Sequence, residues 1–395
     1  MKSLRPHQEL ILLSASTKAR RASARIRIKH LTSSIDWNAL LSSLTRARLL
    51  PTLGPCIAAM IGEEGSDDFR RAALESVSAT RRQDALLLLT EQRLADALNK
   101  DGILTAPLKG PNLGEEIYGE PGRRLSSDID MLLPPECLRD GVEVVRALGY
   151  SAPTDPVGPN GLPLLHFTMQ HQDGTFPAVE LHWRIHWYER RFAAERLLAP
   201  ELDSKGWRSK PADALIALLL YYARDGLCGL RQATDLAAWW DCFGEQLDPD
   251  GLENHLKSYP QLQSAVATAA RVAERTVGLP SRRLLPNNGA LGPRARIAMA
   301  LANPQPYTTP QQLYAEIGLI DGLLTPRGGF RSFLRRQVVP PQAVILDHAS
   351  KALDARITSR TGYASRVLGR YAIALGRLLC IPGTKRPRFS TSKLA

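Results

Sequence analysis

Apolar and polar positions recur along this chain with two different periods, and the period changes near residue 101. From about 67 to 99, Leu74, Val77, Leu87, Leu94 and Leu98 fall at helical spacing and predict one or two long helices. Upstream, Asp36 before Trp37-Asn38-Ala39-Leu40-Leu41 predicts an N-cap followed by an amphipathic helix. Beyond Asp101-Gly102 the pattern shortens. Strands are predicted over Ile103 to Leu108, Leu125 to Leu133 and Leu164 to Met169, with helices between them. Lys109-Gly110 reads as a strand-to-helix turn, because Pro111 suits a first helical position where no backbone N–H is needed. A further helix runs through Val142 to Leu148 and stops at Gly149. The clearest strand is Val179 to Trp187, where Val179, Leu181, Trp183, Ile185 and Trp187 alternate with Glu180, His182, Arg184 and His186. Helical spacing returns over Ala212 to Arg224, Leu230 to Trp240, Leu262 to Val277 and Gly362 to Cys380.

This ordering divides the chain into an N-terminal helical region (1–100), an α/β core (101–205), a helical domain (206–325) and a basic helical C-terminal segment with a disordered tail (326–395). The fold class expected is α+β. Composition adds little: 44% hydrophobic and 23% charged residues are ordinary for a globular chain. No apolar run reaches the length of a membrane span, and Leu10 to Leu13 lacks the cleavage site of a signal peptide, so a cytoplasmic location is expected. Five scattered cysteines with no C-x-x-C spacing point to neither disulfides nor a zinc site.

Charge changes the picture more. The net +12 resides wholly beyond residue 326, where fourteen Lys/Arg face two acids, Asp347 and Asp354. Arg366, Arg370 and Arg377 share one face of the last helix. Such a block is suited to a polyanion contact through 327–395, or to a solvated face and frayed tail.

The candidate chemistry centres on Ser127-Asp128-Ile129-Asp130. Two residues apart on a strand, Asp128 and Asp130 present their carboxylates to the same face, about 6.6 Å apart at the backbone. Like charges so placed call for a divalent cation, and Mg²⁺ is held by one or two carboxylates together with phosphate oxygens. Glu180, on the polar face of the clearest strand, is the candidate third carboxylate. Gly110 opens a helix N-terminus where free N–H groups favour phosphate. Lys109, Gly110, Asn112, Arg123 and Arg124 are therefore candidate phosphate ligands, although partners among Glu115, Glu116 and Glu120 would equally explain the arginine pair. His182 shares the face of Glu180 and is a candidate for orienting substrate or a structural histidine. His186 would lie about 13 Å further along an extended strand, too far to share an ion with His182.

An ordered set of motifs resembles the uncharacterised nucleotidyltransferase family of the DNA polymerase β-like superfamily. It comprises Ile35-Asp36-Trp37, Leu108-Lys109-Gly110, Ile117 to Arg124, Ser127 to Leu132, Leu148-Gly149-Tyr150, Val179 to Arg184 and Leu230 to Leu236. The resemblance implies a small mixed sheet flanked by helices and a transfer of nucleoside monophosphate from an NTP, with ATP as the expected donor and Mg²⁺ or Mn²⁺ as cofactor. It implies roles for Asp128, Asp130 and Glu180 at the metal and for Lys109, Gly110 and Arg124 at the phosphates. It also places Arg231 and Asp235 near the nucleotide, where an i, i+4 ion pair is the competing explanation. Lys109-Gly110-Pro111 stands where the wider superfamily has Gly-Ser or Gly-Gly, so no serine hydroxyl serves a phosphate here. The acceptor implied is a peptide, protein or sugar hydroxyl, since relatives occur among genes for modified ribosomal peptides and surface polysaccharides. Two rival readings keep the same residues: a catalytically degenerate polyanion- or peptide-binding module, and a metal-dependent phosphotransferase.

Overall fold

The computed structural model describes residues 4–62, 65–152, 165–189, 191–198, 201–203, 206–208, 210–285, 291–302, 310–326, 328–338, 345 and 359–379. Helices open the chain: α1 (Pro6–Ser14), α2 (Lys18–Ser23), α3 (Arg25–Thr32), α4 (Trp37–Arg46), α5 (Leu50–Ile61) and α6 (Asp67–Lys100). Asp36 caps α4 as its sequence predicts, accepting the Ala39 N–H at 2.9 Å. The spacing over 67–99 resolves into a single helix, α6, capped by Ser66 and carrying Asp67 and Asp68 in its first turn. Its inward stripe is apolar at both ends and polar in the middle. Phe69 and Ala73 enter one hydrophobic cluster and Leu87, Leu94 and Leu98 another; Thr80 and Asp84 are buried between the two sets, and Thr90 and Glu91 between Leu87 and Leu94. Leu74, assigned inward by spacing, is instead exposed.

The core follows as β1 (Ala106–Pro107), α7 (Pro111–Tyr118), β2 (Asp128–Leu132), α8 (Leu138–Ala147), β3 (Tyr150–Ser151), β4 (His166–His171) and β5 (Ala178–His182). Among the described residues these strands form one sheet in the order β1-β2-β5-β4-β3. β2 and β5 run parallel with Asp130 opposite Glu180; β4 pairs antiparallel with β5, setting Thr168 opposite Glu180 and His166 opposite His182. Ile129, Met131, Phe167, Met169, Val179 and Leu181 point to the cluster beneath α6 and α8. The period of two then sends Asp128, Asp130, His166, Thr168, Glu180 and His182 to the opposite face. The fold is thus α+β, a small mixed sheet flanked by helices.

The strand predicted through Trp187 ends at His182. The alternation breaks where His186 is buried and Trp187 only half-buried. Trp183 and Ile185 stay buried but serve two cores: Trp183 packs under the sheet, whereas Ile185 joins the helical cluster. The chain therefore leaves the sheet between them, passes a π-helical turn at Ala193–Leu197 and a hairpin of β6 (Glu201–Asp203) and β7 (Gly206–Arg208). α9 (Pro211–Arg224), α10 (Leu230–Phe243), α11 (Pro249–Ser258), α12 (Gln263–Val277), α13 (Ser281–Leu284), α14 (Pro293–Leu301), α15 (Pro310–Leu324), α16 (Phe330–Val338) and α17 (Arg360–Leu379) complete it. α9 is buried along nearly its whole length against α10 and α12, where each fully buried leucine contributes roughly 1.5–3 kcal/mol. The last helix carries Arg366, Arg370 and Arg377, but their side chains, and the tail beyond 379, lie outside what the structure describes.

Candidate active site

The site lies where β2 and β5 meet, on the sheet face turned from the cluster under α6. Its loop is held by the polar middle of α6. Asp84 accepts the Gly122 N–H at 2.9 Å, and Gln83 donates to the Ser126 carbonyl at 2.7 Å. Gly122 is required there: it sits at φ 85°, and a Cβ would lie 2.6 Å from the Val77 carbonyl oxygen. Gly110, at φ 99°, turns the chain into α7, whose first-turn amides have no side-chain cap. Free N–H groups at such a helix start are the physical basis for an anion site.

Asp130 is almost fully buried and heavily paired. Lys109 Nζ lies 3.1 Å and His182 Nε2 2.8 Å from its Oδ1. Burial pushes its pKa upward, but the Lys109 charge, the His182 hydrogen bond and Arg224 outweigh that and hold the carboxyl well below its ordinary value. His182 Nε2 also lies 3.4 Å from Glu180 Oε2, so one imidazole bridges the carboxylates of two strands. Its Nδ1 is buried with no hydrogen-bond partner among the described residues, and Nε2, set against two carboxylates that can only accept, is the nitrogen that donates. Glu180 Oε1 takes Thr168 Oγ1 and His166 Nε2, each at 3.5 Å. Burial raises Glu180 as well, yet the two histidines bring it down to about 2. Asp128 goes the other way: burial first, then the charges of Asp130 and Glu180, push it up, and among the described residues its side chain accepts only a 3.4 Å contact from Ser127 Oγ.

This donor set fits a hard divalent cation. Asp128 is a carboxyl whose pKa is raised by burial and then by the charges of Asp130 and Glu180, with no ion pair among the described residues, beside a second carboxylate whose Oδ1 takes Lys109 and His182. His166, Glu180 and His182 form a second candidate ligand group, their donor atoms all within 4.8 Å of one another.

The predicted phosphate ligands separate. Arg123 turns away from the carboxylates to the carbonyls of Pro51 and Thr52, to Cys56 Sγ and to Glu120, so it pins the loop to α5. Asn112 is used by Glu91, at 2.9 Å. Arg124 and Asp235 form a buried pair at 3.0 Å, with Asp235 also accepting the Tyr118 hydroxyl at 2.7 Å. The i, i+4 pair of Arg231 with Asp235 is therefore not formed. Arg231 has no hydrogen bond or ion pair among the described residues and lies within electrostatic reach of Asp128. Lys109, Gly110 and Arg231 remain around the carboxylates.

Sequence reading missed five residues here. His166 and Thr168 carried a signal, the polar half of the period-two pattern over 166–169. Glu91 carried another, an acid on the apolar stripe of α6; burial first, with Asp130 adding, raises it to about 7 despite the Asn112 hydrogen bond. Tyr221 and Arg224 reach the site from α9, where Lys109 Nζ is 4.7 Å and Arg224 Cζ 5.0 Å from the Tyr221 ring centroid. Nothing local to α9 announces that.

Carboxylates on paired strands beside a glycine-opened helix N-terminus are an arrangement that can hold a cation next to a phosphate group. A family model described as uncharacterised nucleotidyltransferase matches residues 33–278, and the chain belongs to that family. The match takes in the N-terminal helices from α4 onward, the whole sheet and the helices through α12. No curated protein matches the chain. Among the described residues, no helix is long and apolar enough to cross a membrane.

Proposed function

We propose that this protein transfers a nucleoside monophosphate from an NTP, with ATP as the expected donor, to a hydroxyl or phosphate acceptor. The observation that carries the reading is the register of β2 and β5, which sets Asp130 beside Glu180 on one face with Asp128 at the strand start. Asp128, Asp130 and Glu180 would hold Mg²⁺ or Mn²⁺. When bound, the ion neutralises phosphate charge and activates the incoming oxygen. Lys109, the amides after Gly110 and Arg231 bind the phosphates. Glu180 takes the proton from the acceptor hydroxyl as its oxygen bonds to the α-phosphorus, and the bond from that phosphorus to pyrophosphate breaks. His182 fixes the two strand carboxylates relative to one another. The acceptor is a peptide, protein or sugar hydroxyl by analogy with the family alone.

Incubation with each labelled NTP and Mg²⁺, with peptides and sugars as acceptors, tests the reading by product mass. A nucleotide adduct from the wild type that is lost in Asp128→Asn/Asp130→Asn supports it. A product heavier by one phosphate alone identifies a phosphotransferase, and transfer that survives the double substitution overturns the metal site.

A further inference from the structure

The carboxylates are bracketed by cations from two helices. Arg231 of α10 lies within electrostatic reach of Asp128. The Tyr221 ring of α9 instead lies against Lys109 Nζ, itself 3.1 Å from Asp130, with Arg224 beside that ring and within electrostatic reach of Asp130 and Glu180. The α9 pair has a feature that the charge balance leaves unexplained. Arg224 is held from one side, its Nε donating to Asp225 Oδ1 at 3.3 Å while Gln232 donates to the other oxygen of Asp225 at 2.5 Å. Its side chain is only 14% exposed, and Nη1 is buried with no partner among the described residues. The Tyr221 hydroxyl is likewise buried and unpartnered, in a residue 4% exposed. Neither group bonds to Asp130 or Glu180, whose near oxygens are taken by Lys109, His182, His166 and Thr168. Two buried donors left unmade beside a substrate site are costly, and a ligand acceptor would satisfy both.

We propose that Arg224 and the Tyr221 hydroxyl form an anion subsite on α9 that takes the α-phosphate of the nucleotide. This rests on the reaction proposed above. There Glu180 receives the proton of the hydroxyl attacking the α-phosphorus, and the Tyr221–Arg224 pair sits beside Lys109 and Asp130, opposite Glu180 in the strand register, on the side where that phosphate would lie. Arg231, within electrostatic reach of Asp128, is left to the outer phosphates. A guanidinium beside a phosphoryl group forms the short, charge-assisted bonds that bind phosphate most strongly.

Affinities of the full chain for Mg-ATP and for AMP with Mg²⁺, by calorimetry with competition for AMP, test the assignment. Arg224→Met lowers affinity for both ligands about ten-fold or more, and Tyr221→Phe lowers both about three- to ten-fold. Arg231→Ala weakens ATP and spares AMP. Because Arg224→Met removes a buried charge and could unfold α9, Tyr221→Phe is the decisive variant. Deleting an unpaired buried hydroxyl leaves the melting temperature unchanged or raised. A fall of several degrees with unchanged affinity makes the hydroxyl structural and overturns the subsite. Loss of ATP affinity with AMP unaffected moves the contact to the outer phosphates and overturns it too. If the wild type binds neither ligand, the nucleotidyltransferase reading itself fails, a result distinct from a variant that binds as wild type does.

Discussion

Lys109 neutralises Asp130 through a 3.1 Å ion pair while its ammonium rests over the ring of Tyr221. The lysine is thus a counter-charge to a buried carboxylate as well as a candidate phosphate ligand. Lys109→Met leaves Asp130 with the His182 hydrogen bond and the more distant charge of Arg224, and is expected to destabilise the protein by about 2–4 kcal/mol. Added Mg²⁺ should restore more melting temperature to this variant than it adds to wild type, as the ion takes over the neutralisation. Thermal shifts with and without the ion read both effects.

The buried pair of Arg124 and Asp235, with Tyr118 as third member, predicts strong coupling. Either Arg124→Ala or Asp235→Ala alone should cost about 3–5 kcal/mol, because each strands a charge away from water. The double variant should cost clearly less than the sum, which a double-mutant cycle in urea measures.

Arg231 gives the opposite expectation. With no bond among the described residues to lose, Arg231→Ala should change stability by at most about 1 kcal/mol. Its loss should appear as weaker Mg-ATP binding, steeply reduced by salt in wild type and less so in the variant.

Glu91 makes stability depend on pH near neutrality. Its folded-state pKa, about 7, lies above that of the unfolded chain, so its contribution is fully present below about pH 4.5 and lost as pH rises through 7. Buried Glu189, also near 7, loses stability over the same window. Glu91→Gln should therefore flatten, without abolishing, the decline of melting temperature between pH 5 and 8. An unchanged slope would show that Glu91 is already ionised in the folded protein.

The elements that position the site were largely legible in the sequence. Gly110-Pro111 starts a helix, Asp128 and Asp130 share a strand face, and Gly149 ends α8, each through local chemistry. What was not legible depended on contacts across the chain. The strand at Val179 stops because its apolar residues divide between two cores, which no period can reveal. Arg123 and Arg124 are adjacent and alike in sequence, yet one is taken by the carbonyls of Pro51 and Thr52 and the other by Asp235. Arg224 closes α9 with an arginine suited to any helix C-terminus, and only the packing of α9 brings it, over the Tyr221 ring, within electrostatic reach of Asp130 and Glu180.

The polar waist of α6 has one more consequence, for how the protein comes apart. Phe69 and Ala73 belong to the cluster of the helical regions, Leu87, Leu94 and Leu98 to the cluster under the sheet, and the same unbroken helix carries both sets. Neither cluster can melt while the other keeps its share of α6 in place. Calorimetry should accordingly show the N-terminal helices and the sheet unfolding in one cooperative transition, despite their separate cores.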